Sequence, residues 1–306
     1  MIFRHEYKGG VWIDLERPSE EEIREVASEF SLDGRIEREL ISPSPVPMVI
    51  DGGDHALAVL HFPAHDGETE ETGSQEVDII VGARFIVTVR YEVVAPLHHL
   101  KRLFEAQELV ERRGTITTDV LLEILFAHLY AAMRDHTNHL TSRLERVERD
   151  MFDGHERTTV SAISGLSRAF LHFEAALANQ EEPLGRFLKA RTLRSFFDDT
   201  FEERAERILA ERAQVMRLVR THRAVATEMR ETNAALLEAR QNEIMKTLTT
   251  ITVIVLPLEL IAFIFGMHLP GTPFDQDPRA FLIVIVIMLG AVALMTFFFA
   301  KKRWIF

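Results

Sequence analysis

Two long apolar runs close the chain, and the residues before them alternate between apolar and polar. From Thr247 to His268 the sequence TLTTITVIVLPLELIAFIFGMH carries one charge, Glu259, and one proline, Pro257. From Phe281 to Ala300 a second run carries no charge. At about 1.5 Å per residue, each run predicts a helix long enough for a hydrocarbon core of about 30 Å. Between them LPGTPFDQDPRA predicts a short turn, held by Pro270, Gly271, Pro273 and Pro278. A carboxylate at the centre of a span costs about 2.5–3.5 kcal/mol even on insertion scales. Glu259 is therefore expected to face a bundle interior or an aqueous path.

The first third reads as mixed α/β. Val11–Leu15 alternates like a strand, and Pro18-Ser19-Glu20 opens a helix to about Phe30 with Ser19 as its N-cap. Pro43, Pro45 and Pro47 interrupt the chain before Met48–Ile50 and Ala56–Phe62, which predict a hairpin around Asp51-Gly52-Gly53-Asp54. Glu68–Gln75 reads as a polar loop. Val77–Val81 and Arg84–Tyr91 predict a second hairpin through Gly82-Ala83.

After Pro96 the period changes to three and four. Leu97–Arg112, Thr117–Phe152 and Thr158–Glu182 predict helices separated by Gly114 and Gly154. Asp119, Glu123, Asp135, Glu145, Glu148 and Asp150 make the middle one acidic, either a solvated face or a surface that concentrates cations. From about Thr200 no Pro or Gly appears until Pro257, and Ile208, Val215, His222, Met229 and Leu236 share a seven-residue phase. The simplest reading is one helix of about 55 residues ending at Pro257, packed along its length on copies of itself.

Composition narrows the function. The 306 residues hold no cysteine, so metal chemistry falls to carboxylates, amides, imidazoles or backbone. A net charge of −12 argues against nucleic acid as a partner. The N-terminus carries no apolar run of the signal-peptide kind. Arg240 and Lys246 precede the first span and Lys301-Lys302-Arg303 follow the second, while the turn holds Asp275, Asp277 and Arg279. The positive-inside rule then places both termini in the cytoplasm, at the inner membrane of a cell. No nucleophile elbow, phosphate loop or paired acid and base supports an enzyme. Asp135, His136 and His139 lie close enough on one helix to be a metal candidate, whereas His61 and His65 flank Pro63 and cannot sit on one helix face.

The run from Asn242-Glu-Ile-Met-Lys246 through Leu248-Thr249, Pro257-Leu258 and Ile264-Phe-Gly-Met267 resembles the CorA family of divalent-cation channels. So do Val11–Leu15, Phe85–Arg90 and the basic tail. The resemblance implies an α+β chain: a cytoplasmic αβα domain with acidic helices over 1–199 and a stalk helix over 200–246. It further implies a pore-lining span over 247–269, an outer loop over 270–279, a second span over 280–300 and a cytoplasmic tail over 301–306. It implies a homopentameric funnel in a lipid bilayer, passing divalent cations, Mg²⁺ first and Co²⁺ or Ni²⁺ next, with no resident cofactor.

Carried over position by position, the family's pore face falls on Asn242, Met245, Leu248, Thr249, Thr252, Leu256, Glu259, Phe263 and the mouth Gly266-Met267-His268. Met245, Leu248 and Leu256 would close the pore by dewetting, against the alternative that they are ordinary interhelical packing. Glu259 stands where the family has a small hydroxyl residue; it is either a cation site or a protonated group bonded to a neighbouring helix. His268 replaces the asparagine of the family's Gly-Met-Asn. Imidazole binds Zn²⁺, Ni²⁺ or Co²⁺ directly and repels cations when protonated, so a shift towards softer metals and lower uptake in acid are expected. Asp275 and Asp277 would only concentrate cations near the mouth. The stretch where the family's regulatory carboxylate is expected reads Arg204-Ala-Glu206-Arg207, leaving Glu203 or Glu206 as substitutes. Two other readings stay open: a zinc transporter of the ZntB-like branch, and a structural or sensory protein that does not conduct.

Overall fold

Six strands and eight helices lie among the residues that the computed structural model describes, which are 2–63, 73–105, 116–154, 156–266 and 280–301. The strands are β1 (Ile2–Tyr7), β2 (Gly10–Glu16), β3 (Met48–Asp51), β4 (His55–Pro63), β5 (Ser74–Gly82) and β6 (Phe85–Arg90). They form one sheet in the order β1-β2-β6-β5-β4-β3. Only the β2–β6 pair is parallel, with Trp12 opposite Ile86 and Asp14 opposite Thr88. Both expected hairpins are present. Gly53 turns the first with φ of 88°, a conformation that only glycine adopts without strain. Gly10 lets β2 begin against the second: a Cβ there would stand 1.9 Å from the Arg84 carbonyl oxygen.

The sheet is covered on both faces. Helices α1 (Glu20–Glu29) and α2 (Gly34–Glu39) close one side over Ile13, Leu15, Leu57, Val59, Ile80, Val87 and Val89. Ser19 caps α1 as expected: its hydroxyl accepts from the Glu22 amide, and the Glu22 carboxylate accepts from the Ser19 amide at 2.8 Å. Such a reciprocal box is worth about 1 kcal/mol. The other face meets α3 (Ala95–Glu105), α4 (Thr118–Phe152) and α5 (Glu156–Leu188), with Trp12 edge-on to Phe104 and Phe62 beside Tyr130. A polar ladder is buried on this face. Trp12 donates to Thr88, Thr88 donates to Asp14 at 2.7 Å, and Arg90 binds Asp14 and Glu16, each at 2.7 Å. Removing Arg90 would leave the buried Asp14 carboxylate without its counter-charge, at a cost of about 3–5 kcal/mol.

Several expectations change. β1, α2 and the short α6 (Arg191–Phe196) were not legible, and Ser74 and Gln75 belong to β5 and not to a loop. Helix α5 runs beyond Glu182, through Pro183, to Leu188. Most importantly, α7 runs from Thr200 to Gly266, so Pro257 does not end it. Proline removes one amide donor, and a helix in a membrane keeps its fold because its remaining backbone groups have no water to bond instead. The last helix, α8, spans Ala280–Lys301.

The chain divides into two units, Met1–Arg230 and Glu231–Phe306, with the boundary inside α7. In the first unit the seven-residue stripe of α7 is already covered by the chain itself. Phe201, Ala205, Ile208, Arg212, Val215, Val219, Ala226 and Met229 are buried, and the His222 ring lies 6.1 Å from that of Phe170 on α5. Packing on copies is therefore not what this stripe records. Its period fits helices of the same chain, α4 and α5.

Candidate functional site

In the second unit, the continuity of α7 past Pro257 keeps the expected pore residues in phase. At about 100° per residue, Asn242, Met245, Leu248, Thr249, Thr252, Leu256, Glu259, Phe263 and Gly266 fall within a stripe about 120° wide. Pro257 falls about 120° from the centre of that stripe, so its missing donor is on another side. Every one of these nine residues is exposed in the single chain. Exposure by itself does not select the stripe, since Ile251 and Leu260 are as bare as Leu248 and Leu256. An apolar surface on all sides is what lipid and neighbouring helices require. Helix α8 shows the same character, and both helices are long and apolar enough to cross a membrane.

The threonines add a chemical detail. Thr249 donates its hydroxyl proton to the Met245 carbonyl at 2.7 Å, and Thr252 donates to Leu248 at 2.9 Å. Each hydroxyl oxygen then has only lone pairs to offer outward. Such an oxygen accepts from water, and the water shell of a cation presents protons outward. Glu259 supplies an exposed carboxylate two turns further along the same stripe. Met267, His268, Asp275 and Asp277 lie outside the described residues.

The acidic helix α4 holds a different surprise. Asp119 and Glu123 are neither simply solvated nor free to concentrate cations. Arg204 of α7 binds Asp119 at 2.7 Å and Glu123 at 2.9 Å, and Arg207 binds Glu123 at 2.7 Å. Higher on the same helix, Arg220 and Arg223 both bind Glu174 of α5, and Arg212 donates to the Leu177 carbonyl at 2.7 Å and pairs with Glu181. The Arg207 hydrogen bond, reinforced by Arg204, holds the Glu123 carboxyl below its usual range. Arg223, reinforced by Arg220, does the same for Glu174. Glu203 lies 4.0 Å from Arg207, and Glu206 stays exposed. Sequence reading named Arg204 and Arg207 without their partners and missed Arg212, Arg220 and Arg223; the signal was the paired three-residue spacing, 204 with 207 and 220 with 223.

His136 stands edge-on to Phe173, at 4.7 Å between centroids, and no cluster of three or more metal-ligating side chains occurs among the described residues. His61 sits 3.4 Å from Glu76 across β4 and β5, a partner that its own helix or strand could not reveal.

With this geometry in hand, four likenesses are informative. The family described as "CorA-like Mg2+ transporter protein" matches residues 7–303. The cobalt/magnesium transport protein CorA of Methanocaldococcus jannaschii is 22% identical over 299 residues, covering 96% of this chain and 91% of that protein. The complete structure of the CorA magnesium transporter from the same organism superposes with a TM-score of 0.81 at 20% identity, over 97% of this chain and 92% of that chain. The ZntB cytoplasmic domain from Vibrio parahaemolyticus superposes less well, with a TM-score of 0.52 at 13% identity, over 74% of this chain and 89% of that one.

Proposed function

The chain belongs to the CorA-like Mg²⁺ transporter family and is a membrane-embedded divalent-cation transporter, not an enzyme; from that premise we propose that five copies enclose a pore lined by α7. The observation that carries this reading is the single uninterrupted stripe from Asn242 to Gly266 on a helix that does not break at Pro257. Five such stripes turned inward cover the polar groups, and the remaining apolar faces of α7 and α8 meet lipid or one another. The basic residues flanking both spans put both termini in the cytoplasm.

Read from the cytoplasmic end of this pore, Asn242 oxygens come first and then the Met245 and Leu248 rings. Closure there needs no plug, because a narrow apolar ring empties of water and a hydrated divalent ion cannot shed its shell cheaply. Thr249 and Thr252 would receive the hydrated ion with outward lone pairs. Leu256 would form a second constriction. Five Glu259 carboxylates in one ring repel one another, and a divalent cation offsets their repulsion. Gly266, Met267 and His268 form the outer mouth, with Asp275 and Asp277 nearby as weak attractors of cations.

Mg²⁺ is the transported ion under this reading, with Co²⁺ and Ni²⁺ in reach. A zinc transporter is the second reading, favoured by the His268 imidazole, which ligates Zn²⁺ directly. Purified protein in liposomes, loaded against Mg²⁺, Co²⁺, Ni²⁺ and Zn²⁺ in turn, separates these readings. Mg²⁺ influx is expected, with the preference moving further towards Mg²⁺ in His268→Asn. Zn²⁺ influx alone would favour the second reading, and no flux of any ion would favour a structural or sensory protein. Identical ion preferences for wild type and His268→Asn from pH 5.5 to pH 8 would remove His268 from the selectivity mouth.

A further inference from the structure

On the α1 and α2 side of the sheet, along the interior strands β4 and β5, three carboxyl groups meet with no Lys or Arg partner among the described residues. Glu76 and Asp78 stand two residues apart on one face of β5, and His61 stands opposite Glu76 on β4. Asp78 is fully buried between its register partners Val59 and Val89. One of its oxygens, Oδ2, accepts from the Tyr91 hydroxyl at 3.1 Å, while Oδ1 has no donor. Glu76, also buried, accepts from the Ser44 amide at 2.7 and 3.0 Å and lies 3.4 Å from His61 Nε2. Glu39, at the end of α2, accepts from the Ser44 hydroxyl. The charges felt by Asp78 and Tyr91 come from one another, Glu76 and Glu39, and that felt by His61 comes from Glu76; among the described residues no Lys or Arg contributes.

Ionising all three carboxyls here would bury several negative charges with no counter-charge, which proteins avoid by retaining protons. A single proton on Asp78 Oδ1 removes one charge and turns the unpartnered oxygen into a donor for the neighbouring Glu76. We propose that Asp78 and Glu76 share one proton, forming with His61 a proton-binding clasp that ties the segment around Ser44, between α2 and β3, to the sheet. The inference stands apart from the pore and does not depend on it.

The direction of the pH response follows from the surroundings. Burial pushes Asp78 well above the usual carboxylate range, and the adjacent Glu76 adds to it. The Glu76 hydrogen bond likewise raises His61 above its ordinary value. Both groups hold protons more tightly in the folded chain than in the unfolded one. Their contribution is therefore complete at low pH and is lost as pH rises through their folded values. Loss of the shared proton sets two carboxylates side by side, and the Glu76 bond to the Ser44 amide is the contact that strains first.

Infrared spectroscopy and hydrogen exchange on the full-length protein in detergent test this. At pH 7 Glu259→Gln is expected to show the carbonyl stretch of a buried protonated carboxylic acid, and the double variant Asp78→Asn, Glu259→Gln to lack that band. Protection of the Ser44 amide, corrected for intrinsic exchange, is expected to fall about tenfold as pH rises from about 7 to 9 in wild type and to stay nearly level in Asp78→Asn. Equal protection profiles in the two proteins would overturn the proposal. If Asp78→Asn does not fold, the titration of Glu259→Gln decides: an acid band present at pH 6 and lost by pH 9 supports the clasp, and its absence at pH 7 overturns it.

Discussion

Thr200–Arg230 and Glu231–Gly266 are two lengths of one unbroken helix, yet they answer to different surroundings. In the first, buried residues recur at three and four, and arginines between them reach Asp119, Glu123, Glu174 and Glu181 of the same chain. In the second, Asn233 and Thr250 are the buried residues among those described, and large apolar side chains are bare on every side. The backbone is the same. What differs is whether apolar residues form a stripe or a sleeve, and that difference names the partner: a stripe is met by a few helices, a sleeve by lipid and further helices.

The sharpest way to break this comparison is one substitution in each half. Val219→Asp buries an unpaired carboxylate in the stripe and is expected to cost more than about 4 kcal/mol, so no cooperative unfolding transition should survive in circular dichroism. Phe263→Ala, 72% exposed in the single chain, should shift the unfolding midpoint by less than about 2 °C. Similar losses for both would mean that the second half is as firmly packed as the first.

The next largest effect concerns the proposed constriction. Leu248→Asn wets the ring, and lifting about 1.4 kcal/mol of dewetting barrier raises Mg²⁺ influx into liposomes about tenfold. An unchanged rate would return Leu248 to ordinary packing. Glu259→Gln should alter both the ion preference and the concentration dependence of influx, because the ring of carboxylates is gone. If both profiles match wild type, Glu259 is not a cation site.

The smallest effect is expected in the first half. Arg223 and Arg220 hold Glu174 below the ordinary carboxylate range, so its contribution is present at neutral pH and lost as pH falls through that depressed value. Glu174→Gln should lower the unfolding midpoint at pH 7 by no more than about 2–4 °C, the size of about 1 kcal/mol. The gap to wild type should close in acid. A gap that stays constant down to pH 3 would show that the ion pair is not its source.

Much was legible without coordinates because local patterns carry it. Ser19 with Glu22 announced the start of α1, and the Gly52-Gly53 turn announced the β3–β4 hairpin. The two apolar runs announced the spans, because length and lack of charge are properties of the segment alone. α2 and α6 are too short for a helical period to stand out, and Pro257 looked like an end because a rule for helices in water was applied to one in lipid. The seven-residue repeat in α7 was real, but periodicity records that a face is covered and not what covers it.

By itself, then, the sequence determined the two spans, the mixed α/β character of the first third and the chemical inventory of the α7 stripe. Tertiary structure alone decided that α7 packs on α4 and α5, that Arg204 and Arg207 meet Asp119 and Glu123, and that His61, Glu76 and Asp78 share one buried corner. The members of each of those sets come from segments far apart along the chain. Spacing along a strand or helix says which residues share a face, but only the register between strands and the docking of helices says which faces meet.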